Sequence, residues 1–459
     1  MIALDVSNSD RTSGKPPRTR RWIPLSLRFF IVMLLLLGVG GIVFVGVPAY
    51  QQHMTIREVE RAGGRVFTQM RGPEWLRART SDAIDARLMP FEEVFGVTLE
   101  NGQATDATLS RVGQWTSVDR LFLKNTPITD AGLARLKGLT KMQFLTLDNT
   151  KVTDAGLQYL EEFSSLIELK LNGTQITDAG LEHLKGLTSL VTLQLGNTRV
   201  TDAGLNHLNS LTRLTGLFLD GTQVSDAGLK QLRGLTSLYV LILNKTQVTD
   251  AGLANLQWST TLWGVFLNDT QVTDAGLDHL QGVTNLLSLS LNNTQVSDAG
   301  LEHLKGVTNL LTLTLENTAV TDAGLAHLAG LTRLEWLSLS GTRVTDAGLA
   351  HLTGLTRLDR LSLSGTQVTG VGLAHLKGLK SLEELYLDNT LVNDGGLEHL
   401  KGLTSLKALS LSNTPVTDAG LGHLKGLIVL PILDLTGTQV TDAGVAELQR
   451  ALPGLKIER

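Results

Sequence analysis

The sequence predicts an α/β solenoid, a right-handed horseshoe with a concave parallel sheet and convex short helices, preceded by one transmembrane helix. Three observations carry this expectation. One pattern returns every 24 residues from Thr105 to Thr441 without an insertion or a deletion. Each copy holds an alternating Leu-x-Leu segment, the period of a strand, and a second segment with leucines three apart, the period of a helix face. Ahead of the copies, Phe29 to Val47 (FFIVMLLLLGVGGIVFVGV) is a nineteen-residue stretch without a charge.

Composition agrees with stacked, leucine-filled units. Hydrophobic residues make up 42% of the chain and aromatics 5%, with 47 glycines. A net charge of −4 and a pI of about 6.2 supply no basic field for nucleic acid. Cysteine is absent, which excludes a disulfide framework and cysteine metal sites.

The apolar stretch, at ~1.5 Å per residue, spans about 28 Å, close to a hydrocarbon core. Six basic residues precede it (Arg11, Lys15, Arg18, Arg20, Arg21, Arg28) and three follow within twenty residues (Arg57, Arg61, Arg65). This asymmetry places the N-terminus in the cytoplasm and the repeats outside it. Val47-Pro48-Ala49 loosely fits a signal-peptide cleavage site, but the stretch exceeds the usual h-region, so an anchor is expected. The resulting division is a basic tail over 1–28, an anchor over 29–49, a stalk and N-terminal cap over 50–96, repeats over 97–440 and a C-terminal cap over 441–459. Within 50–96, helices are expected at Thr55–Arg61 and Pro73–Leu88, with Val66-Phe67-Thr68 extended. Phe67, Trp75, Leu76, Phe91 and Phe95 are the apolar side chains expected to cover the open end of the core.

The repeat unit reads T-D-A-G-L-x-H-L-K-G-L-T-x-L-x-x-L-x-L-x-x-T-x-V, as in Thr129-Asp130-Ala131-Gly132-Leu133 and its counterparts. Leu193 and Leu195 form a short strand facing inward. Thr198 follows, and its stacked hydroxyls are expected to bond the backbone of the adjacent coil. Before it stands Asn or Gly (Asn149, Gly173, Asn197, Gly221), residues that tolerate left-handed backbone, with Lys245 and Asp269 as exceptions. The helical half opens on Ser, Thr or Asn as N-cap, followed by Asp except at Gly370, and Gly138 and its equivalents are placed to end each helix.

Leu190, Leu193, Leu195, Thr198 and Val200 follow the signature L-x-x-L-x-L-x-x-N/C-x-L, with Thr in the Asn/Cys place. The chain thus resembles the leucine-rich-repeat superfamily over residues ~97–459, which implies a right-handed leucine-rich-repeat solenoid. The layout of basic tail, anchor, spacer and repeats looks like bacterial single-pass membrane-anchored leucine-rich-repeat proteins with 24-residue TDAGL-type repeats. The repeats are also similar to those of F-box adaptors of ubiquitin ligases, but no F-box is present and that role is not implied here.

Three columns invite a chemical reading. His183, His207 and His279 to His423 recur at one helical position, but neighbouring helices lie roughly 8–10 Å apart and no carboxylate shares their face by sequence. They read as half-buried packing residues. The Asp column from Asp130 to Asp442 is explained by helix capping without an ion. Strand serines such as Ser338 and Ser362 face away from the histidines, so no triad forms. No phosphate loop or zinc motif appears, and no cofactor is expected.

Recognition is then left to outward strand positions. From Ser288 to Ser364 they are mostly Ser, Thr and Asn, with Trp336 and Arg360 as departures. In the middle they turn apolar at Phe218, Val240, Ile242 and Phe266, flanked by Tyr239 and Trp263, and these six are the candidate partner-binding residues. The expected function is a non-catalytic protein- or peptide-binding scaffold, receptor-like, on the extracytoplasmic side of a membrane. The alternative is adhesion, with envelope carbohydrate on the hydroxyl-rich concave face and on Trp336 or Tyr386. Nucleic acid is not an expected partner.

Overall fold

Leucines 24 residues apart dictate the register. In the computed structural model, which describes residues 25–41, 43, 47–70, 92–102, 104–257 and 259–459, Leu289 pairs with Leu313, Leu337 and Leu361 in succession, all parallel. The same step joins every neighbouring pair of strands from Glu92–Thr98 to Lys456–Glu458. With Arg65–Met70 paired to Glu92–Thr98, the sheet has seventeen strands among the described residues. Most strands are three residues long, because a single inward leucine, such as fully buried Leu193 in Thr192–Gln194, separates two outward positions.

From Arg120–Phe122 to Ala408–Ser410, each strand is followed by a left-handed residue and a buried threonine. Asn149, Gly173 and Asn197 have φ of 54°, 66° and 55°, and the two sequence exceptions adopt the same conformation, Lys245 at 56° and Asp269 at 59°. The threonine hydroxyls correct one expectation. Thr198 Oγ1 donates to Leu195 O at 2.6 Å and Thr294 Oγ1 to Leu291 O at 2.6 Å, so they close a turn in their own coil instead of linking neighbours.

The link between coils is the aspartate column. Asp130 Oδ1 accepts Thr153 N–H at 2.8 Å and Oδ2 accepts the Thr153 hydroxyl at 2.6 Å. The pair recurs from Asp106 with Thr129 to Asp418 with Thr441. The threonine in turn caps its own helix, as where Thr129 Oγ1 accepts Ala131 N–H at 3.2 Å. Sequence reasoning gave the aspartate to its own helix dipole, whereas its hydrogen bonds go to the next coil. The motif's glycine makes the room: a Cβ on Gly252 would overlap the Asp226 carboxylate and press Leu229 and Val248 at 3.1 Å. One step of the ladder is missing. Gly370 has no carboxylate, Asn393 replaces the threonine and accepts Gly396 N–H at 3.3 Å instead, and both flanking helices, Gly372–Gly378 and Gly396–Leu400, are 3-10 throughout.

In most other coils a short α-turn runs into a 3-10 turn, as in Asp130–Leu133 followed by Ala134–Leu136, with Leu133, Leu136 and Leu139 fully buried. Of the glycines expected to end helices, Gly138 alone takes the left-handed conformation, at φ 100°; Gly186, Gly306 and Gly330 do not. The final helix is Asp442–Ala451 and the closing strand Lys456–Glu458.

At the other end, the chain divides into two units, Met1–Arg57 with Met70–Glu92, and Glu58–Gln69 with Glu93–Arg459. In the second, Val59, Val94, Val97 and Leu99 are the buried cap residues. Phe67 is exposed, its ring 6.2 Å from that of Phe95 and set over Gly96, so it does not cover the core as expected. Trp75, Leu76, Phe91 and the helix expected over Pro73–Leu88 lie outside the described residues.

The anchor expected over 29–49 falls only partly on described residues, within a helix Leu25–Gly41 (α1) and the start of a helix Val47–Arg61 (α2). No helix among the described residues is long and apolar enough to cross a membrane.

Candidate interaction face

The residues flanking each inward leucine project from the concave side. Phe218, Ile242 and Phe266 end three successive strands, Gly216–Phe218, Val240–Ile242 and Gly264–Phe266, and pair side by side in register. Each phenylalanine ring lies down over a glycine of its own strand. A Cβ on Gly216 would stand 3.2 Å from the Phe218 ring, and one on Gly264 would stand 3.3 Å from the Phe266 ring. Val240 pairs between these glycines. The four side chains therefore form a flat, half-buried apolar band, three strands wide at ~4.8 Å per strand.

Tyr239 and Trp263 stand apart from this band. Each immediately precedes a strand, and they are 46% and 40% exposed. Trp263 N–H donates to Tyr239 O at 3.0 Å, which sets the two on adjacent coils. They close one end of a cleft of about 600 Å³ along the flank of the concave face. Its other walls are Thr260, Thr261, Asn285, Leu287, Asn309 and Arg333. The six expected residues thus fall into a band of four and a cleft wall of two. Asn285, Asn309 and Arg333 were missed by sequence reasoning. The signal was one repeat column, Thr261, Asn285, Asn309, Arg333, which is neutral and polar for three coils and ends on a cation. Trp258 lies outside the described residues.

Toward the C-terminal end the hydroxyls of the face largely bind one another. Ser290 and Thr314 share a hydrogen bond of 2.6 Å, as do Ser340 and Ser362, and Ser338 donates to Glu316 Oε1 at 2.8 Å while fully buried. Few are left for a ligand. Tyr386 donates to Glu384 at 2.9 Å, and burial followed by that bond raises its phenol above the usual range. Burial also raises the carboxyl of Asp148, against the Asn172 N–H and the charges of Lys124 and Lys170.

On the convex side two of the histidines meet carboxylates, contrary to expectation. His183 Nδ1 lies 2.6 Å from Glu161 Oε1, and His303 Nδ1 lies 3.3 Å from Asp278 Oδ1. The acid belongs to the preceding coil, where a 24-residue pattern does not display it. Among the described residues no group of three or more such side chains is placed to hold a metal ion.

A coiled parallel sheet with leucine-filled turns and an outward-facing apolar band defines the class, and comparison with known proteins agrees. Leucine-rich-repeat family models match residues 332–392 and 164–185. Among solved structures, an internalin of Listeria monocytogenes is 28% identical, with 68% of this chain and 85% of that one covered at a TM-score of 0.55. A leucine-rich-repeat protein of Leptospira interrogans, 20% identical, shares the fold over 76% of this chain and 80% of its own at a TM-score of 0.51. No curated protein matches. The family models and the solved structures together support the leucine-rich-repeat superfamily for this chain.

Proposed function

We propose that this chain is a non-catalytic scaffold that binds a protein or peptide on its concave face, displayed on the extracytoplasmic side of a membrane. The observation that carries the reading is the band of Phe218, Val240, Ile242 and Phe266. It sets apolar side chains side by side on a face that is elsewhere mostly polar, next to an aromatic-walled cleft. Contiguous exposed apolar and aromatic surface marks an interaction site, and aromatic anchors carry most of such binding energy. Likeness to an internalin supports an interaction role.

Membrane display rests on the six-to-three excess of basic residues before the apolar stretch. α1 supports it, since Leu35, Leu36 and Leu37 are each more than 60% exposed, an arrangement suited to lipid. Protease added to intact spheroplasts should remove the repeats and spare an N-terminal tag; protected repeats would reject the topology.

The binding reading is tested by Phe218→Ser together with Phe266→Ser in the full chain. A binding surface loses on the order of 2 kcal/mol or more of partner affinity, with circular dichroism and melting unchanged. Unchanged affinity would place the site elsewhere.

A further inference from the structure

The cleft beside the apolar band has a polarity of its own. At one end Tyr239 and Trp263 offer exposed aromatic surface, and Leu287 continues the apolar wall. At the other end stands Arg333. Its Nη1 donates to Asn309 Oδ1 at 2.7 Å, and among the described residues no carboxylate lies within ion-pair distance of it. The neighbouring Glu335 is taken by Arg357 at 2.9 Å. Arg333 therefore presents an uncompensated guanidinium, held in place by an amide and open toward the cleft.

The polar groups between the two ends are nearly all occupied. Thr261 Oγ1 donates to Leu238 O at 2.7 Å. Asn285 Nδ2 donates to Thr260 O at 2.5 Å, and Asn309 Nδ2 donates to Thr284 O at 2.9 Å. Between the aromatic seat and the cation, Asn285 Oδ1 is left as an open acceptor toward a ligand. A peptide in extended conformation needs what the cleft provides: an apolar pocket, an acceptor for a backbone N–H, and a cation for a carboxylate.

Spacing makes the requirement specific. Trp263 and Arg333 are separated by three coils, about 14 Å along the stack at ~4.8 Å per parallel strand. An extended chain advances ~3.4 Å per residue, so about four residues cover that distance, and residues four apart in a strand point to the same side. We propose that the flank cleft recognises an extended peptide segment of a partner protein carrying an aromatic or large apolar side chain and, four residues from it, an aspartate or glutamate. The aromatic end seats on Tyr239 and Trp263, the carboxylate pairs with Arg333, and an intervening N–H meets Asn285 Oδ1. This rests on the protein-binding reading and narrows it to acidic, aromatic-anchored segments.

The test is selection of a random displayed dodecapeptide library on the full chain in mild detergent, followed by affinity measurement with synthetic copies. The expected binders share an aromatic or large apolar residue and an acidic residue four apart, in either order. Exchanging that Asp for Asn in the peptide, or Arg333→Gln in the protein, should each weaken binding at least tenfold, and the two changes together little further. Rising salt should weaken the wild-type pair and spare the neutral pairs. Trp263→Ser should weaken every selected peptide, while circular dichroism confirms that each variant is folded. Peptides that bind with no acidic preference and are indifferent to Arg333→Gln would overturn the proposal and leave the protein-binding reading standing. A library with no binder, beside a polygalacturonate oligomer that binds and is lost with Trp263→Ser, would overturn both.

Discussion

Asp130 holds Thr153 of the following coil by two hydrogen bonds at once, one to the backbone N–H at 2.8 Å and one to the hydroxyl at 2.6 Å. Repeated along the stack, this contact ties each coil to the next at the start of its helix. It works together with the backbone ladder of the sheet on the opposite side of the leucine core.

Removing one rung tests its weight. Asp250 accepts from Thr273 N–H at 2.8 Å and from its hydroxyl at 2.6 Å. Asp250→Ala leaves both donors without a partner and should cost about 2–3 kcal/mol. Thr273→Val keeps the N–H bond and should cost about 1 kcal/mol. Denaturant unfolding of the two variants reads the difference, and equal losses would mean that the backbone bond contributes nothing.

Glycine in the motif serves that carboxylate, and this too is measurable. Gly252→Ala drives a methyl into the Asp226 carboxylate and should destabilise by about 1–3 kcal/mol. Gly306 has nothing within 4 Å of its Cβ position, and Gly306→Ala should be neutral or gain up to about 1 kcal/mol. Similar effects at both positions would reduce the motif glycine to a matter of helix propensity.

Both results bear on how much the sequence discloses. The coil, its register and its core were legible because burial of a leucine is a one-residue property that repeats with the period. The aspartate's partner was not. A carboxylate at a helix start serves its own N-terminus or the next coil equally well in a 24-residue pattern, and only geometry separates Thr129 from Thr153 as the recipient. His183 and Glu161 were hidden in the same way. Phe218 and Phe266 were visible as outward apolar residues, but their lying over Gly216 and Gly264 is a rotamer property. Arg333 escaped because the cleft it closes spans five coils.

Backbone strain is concentrated at two positions. Lys245 and Asp269 adopt the left-handed conformation that Asn or Gly takes at most equivalent places. Left-handed backbone costs a lysine roughly 1 kcal/mol. Lys245→Asn should recover about 0.5–1 kcal/mol of stability in a melting experiment, and no gain would show that neighbouring contacts absorb the strain.

Asp359 supplies a pH signature. Burial holds its carboxyl above the usual carboxylate range, Glu335, Glu383 and Glu384 add to the shift, and Arg360 opposes it. The folded chain therefore binds this proton more tightly than the unfolded chain. Stability gains as pH falls through the raised value, and ionisation is a cost at neutral pH. Asp359→Asn should raise the melting temperature at pH 7, and the advantage should shrink as the pH is lowered through the carboxylate range. A variant less stable at pH 7 would show that the ionised group is held by Arg360 after all.

The concave band is the centre of the functional account, and photo-crosslinking in the producing cell tests it most directly. A photoreactive residue replacing Ile242, beside Phe218 and Phe266, is compared with one replacing His351 on the convex helices. The account predicts discrete protein adducts from position 242 that disappear when Phe218→Ser and Phe266→Ser are added, and none of comparable yield from position 351. Adducts from position 351 alone, or adducts at 242 that survive the double substitution, would contradict it.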